Sequence, residues 1–469
     1  MNNRSSFYTR ILLSILTFLA FLRLLGFTFA FGEKSLQLDF SAYYTAGESV
    51  NAHLSPYQNY LDHTPRIWDG YDTYKHSRFL YPPLVAYLFR LIALLPYHTA
   101  KYIWMYLSII SLFISVLLAF KAMAVKIDTT KGLIVLLLLF TFHPLLKHLA
   151  FGEIDAFTLL LMVFGVYLIC NKTNEKLAGV LFAISVLLKL HNILILPFIL
   201  FGKKWNVFLG FVSGSFTLTV ITILLCGFDQ TISYVTVDLP RIAVYGEAGT
   251  KDMKESDSLI SSLHLEKGIT SKDGRIYPLS RDGFGWTEYA TLTQTPIGKL
   301  FQLLLSRLKL FNSQSIVSVI IFIILFSLVF LKKVGESFGN VLTQYNEFLF
   351  WQLAFVVILL SAPITWDTNT VWLVTLFPVL VTSLTFKLNS EQFSLILIAL
   401  GLVIIMFPNF NPYPLLVPFG FLNNLIKYQY AIGEVIIFAG FIMFPFNENV
   451  NHFHFLEKRG RNNPFSINN

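Results

Sequence analysis

Apolar runs of about 18 residues or more recur along this chain, each long enough to cross ~30 Å of hydrocarbon as a helix. Only 13% of the 469 residues are charged, where an ordinary soluble domain carries about 25%. The pattern predicts an all-α polytopic membrane protein, a single integral membrane domain over residues 1–469. The first run, Ile11 to Phe31, exceeds the ~7–15 residues of a signal-peptide core, and no small-x-small cleavage pattern follows it. It reads as a retained helix.

Lysines and arginines then set the orientation. Arg4 and Arg10 precede the first run, and the pairs Lys172/Lys176, Lys203/Lys204 and Lys332/Lys333 sit in alternate short loops. Such loops face the cytoplasm. The net charge of +8 is thereby explained by topology, and no nucleic-acid partner is expected. Both termini fall inside, with two large outer loops at about 32–102 and 227–312 and about 12 crossings or half-crossings. Within the first loop, Tyr81 to Tyr97 reads as a helix lying in or dipping into the outer interface, not a full span. A broken pair at about 177–188 and 193–201 flanks Lys189, and interrupted short segments are where membrane proteins often place binding sites. Cys170 and Cys226 end runs placed on opposite faces, so no disulfide is expected. Walker, dinucleotide, zinc and tandem-repeat signatures are missing. The inner loops are too short for a nucleotide-binding domain, which assigns chemistry to the outer face and its energy to the substrate.

The stretch from Leu38 to Pro83 looks like the chemical centre. It contains Asp39-Phe40 with Tyr43-Tyr44, then Ala46-Gly47, Pro56-Tyr57 and Tyr81-Pro82-Pro83. A tyrosine offers a sugar both an apolar face and a hydroxyl. A carboxylate just outside a bilayer can stay ionised and still be desolvated when a substrate closes over it.

In their order these motifs resemble glycosyltransferase family 87. Further matches follow: Gly152-Glu153-Ile154-Asp155, Leu188-Lys189, Asp257-Ser258-Leu259 and Pro363-Ile364-Thr365-Trp366-Asp367. The resemblance implies a GT-C-type bundle that takes a sugar, mannose or a similar hexose, from a polyprenyl-phosphate donor. It implies an inner (plasma) membrane enzyme with an extracytoplasmic active site, acting on a glycolipid or glycan hydroxyl among membrane lipids. It makes Asp39 the general base. Two departures stand out: Glu153 replaces a usual glutamine, and Thr368-Asn369 stand where the family often has histidine.

Each expectation has a plainer rival. Asp39 could be an N-cap or a solvated loop carboxylate. Lys189 ends a half-helix and would pair with a lipid phosphate, or else with a nearby carboxylate. Glu153 and Asp155, two apart beside His148, make a weak metal spacing, and neither metal nor cofactor is expected. Tyr43, Tyr44, Tyr57 and Tyr81 divide between packing and substrate contact. Trp366 stacks on sugar or isoprenoid, or anchors at the interface. Ser258 and Asn369 complete the donor- and acceptor-binding set, while Arg66, Arg78, Arg241 and Arg281 are possible phosphate clamps or solvated charges. The functional alternatives are a transporter or flippase for lipid-linked sugars, which has no need of Asp39, and an inactive scaffold of the same fold.

Overall fold

The computed structural model describes residues 3–34, 37–57, 79–239, 269–270, 276–277, 314–335, 343–362, 367–383, 389–407 and 428–446. Helix α1 covers Asn3–Lys34 and α2 covers Leu38–Asn51. After α3 (Pro83–Phe89) come α4 (Tyr97–Ala122), α5 (Thr129–Thr141), α6 (His143–Phe151), α7 (Asp155–Cys170) and α8 (Glu175–Leu188). A 3₁₀ segment, Leu190–Ile195, leads to α9 (Leu196–Phe201), α10 (Trp205–Cys226) and α11 (Phe228–Ser233). The C-terminal half contributes α12 (Gln314–Gly335), α13 (Gln344–Ser361), a 3₁₀ segment at Asp367–Leu376, α14 (Phe377–Ser383), α15 (Ser390–Met406) and α16 (Gln429–Met443). One small antiparallel ribbon, Ile269–Thr270 against Ile276–Tyr277, is the strand structure among the described residues.

Local chemistry accounts for where helices start and break. Asp128, Asn174, Thr343 and Asn389 each accept a backbone N–H of the first turn they precede, satisfying one of the orphan donors of a helix start. Pro144 lies in the first turn of α6. Having no N–H, it cannot continue the α5 ladder, and the two helices meet at 51°. Among the described residues, α4, α10 and the Phe7–Glu33 part of α1 are each long and apolar enough to cross a bilayer, and the bent α5–α6 pair makes a fourth. α7, α12, α15, α16 and the stretches Leu190–Phe201 and Thr368–Ser383 are shorter apolar helices. A count near 12 therefore rests on these shorter helices as well.

The bundle wraps α13, of which every residue from Asn346 to Ser361 is buried. A second core gathers Phe40, Tyr43, Phe89, Trp104 and Ile154 where α2 meets α3, α4 and the start of α7. Two expectations are corrected here. The chain around Asp39 is a helix from Leu38 to Asn51. The run from Tyr81 to Tyr97 is not one helix: α3 ends at Phe89 and a single turn spans Ile92–Leu94 before Pro96. Five of the seven α3 residues are buried, while Leu88, Leu91 and Leu94 are exposed. Ser258, Trp366, Arg66, Arg78, Arg241 and Arg281 lie outside the described residues.

Candidate active site between Asp39, Glu153 and Lys189

The site is built on a glycine turn. α6 stops at Phe151, and Gly152 takes the left-handed conformation (φ 71°), its N–H bonding His148 O at 2.9 Å. That is the usual way a glycine ends a helix. A Cβ at this position would stand 2.7 Å from Cβ of Phe40. The Trp104 indole donates to Gly152 O at 2.8 Å, so the turn is held between α2 and α4. The chain leaves it with Glu153 in the connection and Asp155 opening α7.

Opposite stands the break in the next pair. α8 ends at Leu188, Lys189 is extended (φ −145°, ψ 108°), and Asn192 Nδ2 donates back to Ser185 O at 3.1 Å. The break aims the Lys189 ammonium at the glycine turn. It donates to Asp155 Oδ2 at 2.6 Å and to Glu153 Oε2 at 3.0 Å. The three side chains are 7%, 0% and 3% exposed. Charges so deeply buried persist only when paired and hydrogen-bonded. Of the two partners weighed for Lys189, the structure thus gives it carboxylates. Thr368, from the 3₁₀ segment after α13, donates to Glu153 Oε1 at 2.8 Å. The buried His148 ring lies near enough to feel Asp155 and Lys189.

Asp39 lies in the first turn of α2, close enough for its charge to act on Glu153 and Tyr81. It is half-buried, and a carboxylate at that point is favoured by the helix dipole. It is not the N-cap; that position is Gln37, in a left-handed conformation (φ 54°), whose side-chain amide donates to Leu149 O at 2.7 Å. Burial raises the Glu153 pKa well above the ordinary carboxylate range. Lys189 opposes the shift, and Asp155 and Asp39 add to it. Lys189 is held against both carboxyl groups, and of the two Glu153 is the one whose burial favours the protonated form. Tyr81 is pushed up by burial, and the carboxylates of Glu153 and Asp39 add to that shift.

A tyrosine wall completes the site. Tyr43 and Tyr81 share a hydroxyl–hydroxyl bond of 2.8 Å, and Tyr57 donates to Tyr81 O at 2.8 Å while its ring stacks on Tyr234. Tyr44 turns elsewhere: its hydroxyl donates to Leu95 O at 2.6 Å and its ring meets Tyr97 edge-on. Gly47 lets α3 approach, since a Cβ there would lie 2.6 Å from Phe89 O. Asn369 is buried beside Thr368. Asp39, Tyr43, Tyr81, Glu153, Asp155 and Lys189 are thus gathered from four separate stretches of chain, while Tyr44 is not part of the cluster.

Residues 79–270 match the family model of glycosyltransferase family 87. The resemblance drawn from the motifs holds over that stretch, which is less than half of the chain and carries Tyr81, the 152–155 turn and Lys189. The Asp39 and Thr368 segments lie outside it. A match to family 87 implies a glycosyltransferase, with a sugar donor and an acceptor as substrates. Together with the apolar helices it marks a membrane protein. No curated protein matches the chain.

The geometry adds something the motifs did not reveal. Two of the three positions noted as departures from the family pattern, Glu153 and Thr368, are hydrogen-bonded to each other. The paired departure is the signal that could have brought the two together from sequence.

Proposed function

We propose that the protein transfers a hexose, mannose or a similar sugar, from a polyprenyl-phosphate carrier to a glycolipid or glycan hydroxyl at the outer face of the plasma membrane. In this reading the bundle is of GT-C type with about 12 crossings and half-crossings. Asp39 takes the proton of the acceptor hydroxyl as its oxygen attacks the anomeric carbon. The bond from that carbon to the phosphate oxygen breaks, and the leaving polyprenyl phosphate carries the electron pair away. A phosphate already bearing negative charge needs no strong general acid. A β-linked donor gives an α-linked product by single inversion.

The observation that carries the reading is the half-buried Asp39, whose charge reaches Tyr81 and Glu153 beside a neutralised Lys189–Asp155 pair. A base needs reach to the acceptor and a carboxylate of its own, distinct from those balancing the lysine. We assign both to Asp39. Lys189 has three N–H donors; two go to Asp155 and Glu153, and we assign the third to the donor phosphate. Tyr43, Tyr57 and Tyr81 offer ring faces and hydroxyls to the sugars, with Ser258, Trp366 and Asn369 assigned to the same substrates.

The test is purified Asp39→Asn protein given a polyprenyl-phosphate hexose, with a nucleotide hexose in a parallel assay. Transfer from the lipid carrier should fall by at least about 10²-fold with the melting temperature unchanged. Near-normal turnover per folded molecule removes the base assignment, and transfer by the unaltered protein from the nucleotide sugar alone removes the donor assignment.

A further inference from the structure

At the opposite end of α8 from Lys189, about 20 Å away along the helix axis, lies a second polar feature that the transfer site does not use. A cleft of about 470 Å³ opens between the start of α8 and the start of α10, within the ~300–1,000 Å³ usual for small-molecule sites. Lys172, Lys176 and Lys204 line it, with Asn174, Glu175 and Asn206. Two helix N-termini converge on it, since Asn174 caps α8 and Lys204 immediately precedes α10. Both place partial positive charge toward the cleft.

The charges there are not all committed. Lys204 is ion-paired with Glu347, and the one lining carboxylate, Glu175, accepts from Asn206 Nδ2 at 3.1 Å. Lys172 and Lys176 form no ion pair among the described residues. Both are exposed, and Lys172 is presented by a left-handed turn (φ 50°).

What runs down from the cleft identifies the ligand. Leu209, Val212, Phe216, Val220 and Leu224 are exposed, and their three- and four-residue spacing makes one stripe along α10. Trp205 begins that stripe at the cleft's rim and is also exposed, as suits an aromatic at a membrane interface. A basic cleft above an exposed apolar stripe fits a phosphate with acyl chains beneath it. We propose that the cleft binds the phosphate of an anionic phospholipid, whose chains lie along the exposed face of α10. The basic loops place this end on the inner side of the membrane, away from the transfer site.

The experiment uses full-length protein in detergent, titrated with dioleoylphosphatidylglycerol, dioleoylphosphatidylcholine or inorganic phosphate, with adducts read by native mass spectrometry. The variant is Lys172→Asn/Lys176→Gln; asparagine tolerates the left-handed backbone. Phosphatidylglycerol should bind on the order of tenfold more weakly to the variant. Phosphatidylcholine binding should not change, and inorganic phosphate should not compete. Leu209→Ser/Phe216→Ser, which keeps both lysines, should weaken phosphatidylglycerol binding as well. The charge-matched control Lys121→Gln/Lys126→Gln, at two exposed lysines, should bind as the unaltered protein does. Equal phosphatidylglycerol binding by the lysine variant overturns the site. Full displacement by inorganic phosphate overturns the lipid and leaves a site for a soluble anion.

Discussion

At the scale of single residues, the cluster is a buried lysine held by two carboxyl groups, one of which, Glu153, has a raised pKa. Removing the cation leaves Asp155 buried and uncompensated, so Lys189→Met should cost about 3–5 kcal/mol of stability, read as a lowered unfolding midpoint in detergent. A lysine engaged only by a bound donor would leave the ligand-free midpoint untouched. Glu153→Gln should be mild, because the raised pKa of the native side chain favours its uncharged form. Its effect also has a sign in pH. The folded pKa of Glu153 is raised, so as pH climbs past the ordinary value of 4.5 the unfolded chain loses this proton first. The unfolded state then binds fewer protons and stability declines with pH. The amide has no such proton to lose. The variant should therefore gain on the native protein as pH rises from about 5 to 8, and melting curves across that range decide it. A gain on acidification instead would mean that Glu153 is ionised when folded.

At the scale of elements, the site depends on how closely α2 lies on α3. Gly47 faces the Phe89 carbonyl with no room for a side chain. Gly47→Leu should therefore push α2 outward and carry Asp39 with it. Transfer should be lost while circular dichroism still reports the helical content of the bundle; retained transfer would free Asp39 from this dependence on α2. The helices themselves were largely legible in the sequence, because long apolar runs and prolines act locally. The broken pair expected at about 177–188 and 193–201 falls within a few residues of the end of α8 and the start of α9. α2 was not legible, since a short helix rich in tyrosine, serine and threonine has weak intrinsic preference and is held by burial of Phe40, Tyr43 and Ala46. The cluster was legible residue by residue but not as an assembly. No local period joins Thr368 to Glu153, and a lysine ending a half-helix reads equally as a phosphate ligand or an ion-pair partner.

At the scale of the whole molecule, the two ends of α8 divide the labour we infer: sugar transfer at the Lys189 end and lipid phosphate at the Lys172 end. That division requires the two ends to face opposite sides of the membrane. With Cys170 and Cys226, both free and buried, replaced, single cysteines at exposed His53 and Thr173 give a direct reading. An impermeant maleimide added outside intact cells should label His53→Cys and leave Thr173→Cys unlabelled until the cells are opened. The reverse pattern would move the candidate active site to the cytoplasm and remove the argument for a lipid-carried sugar.

The hydrogen bond between Thr368 and Glu153 spans 215 residues of chain, and that separation has a meaning in time. Synthesis proceeds at about 5–20 residues per second. Lys189 follows Asp155 by 34 residues and can meet it within seconds of leaving the ribosome. Thr368 arrives about 10–45 s after Glu153 at the same rate. For that interval the nascent protein holds a closed ion pair beside an acid that lacks its hydroxyl partner. The ion pair can thus form early, whereas the finished site waits for the last third of the chain.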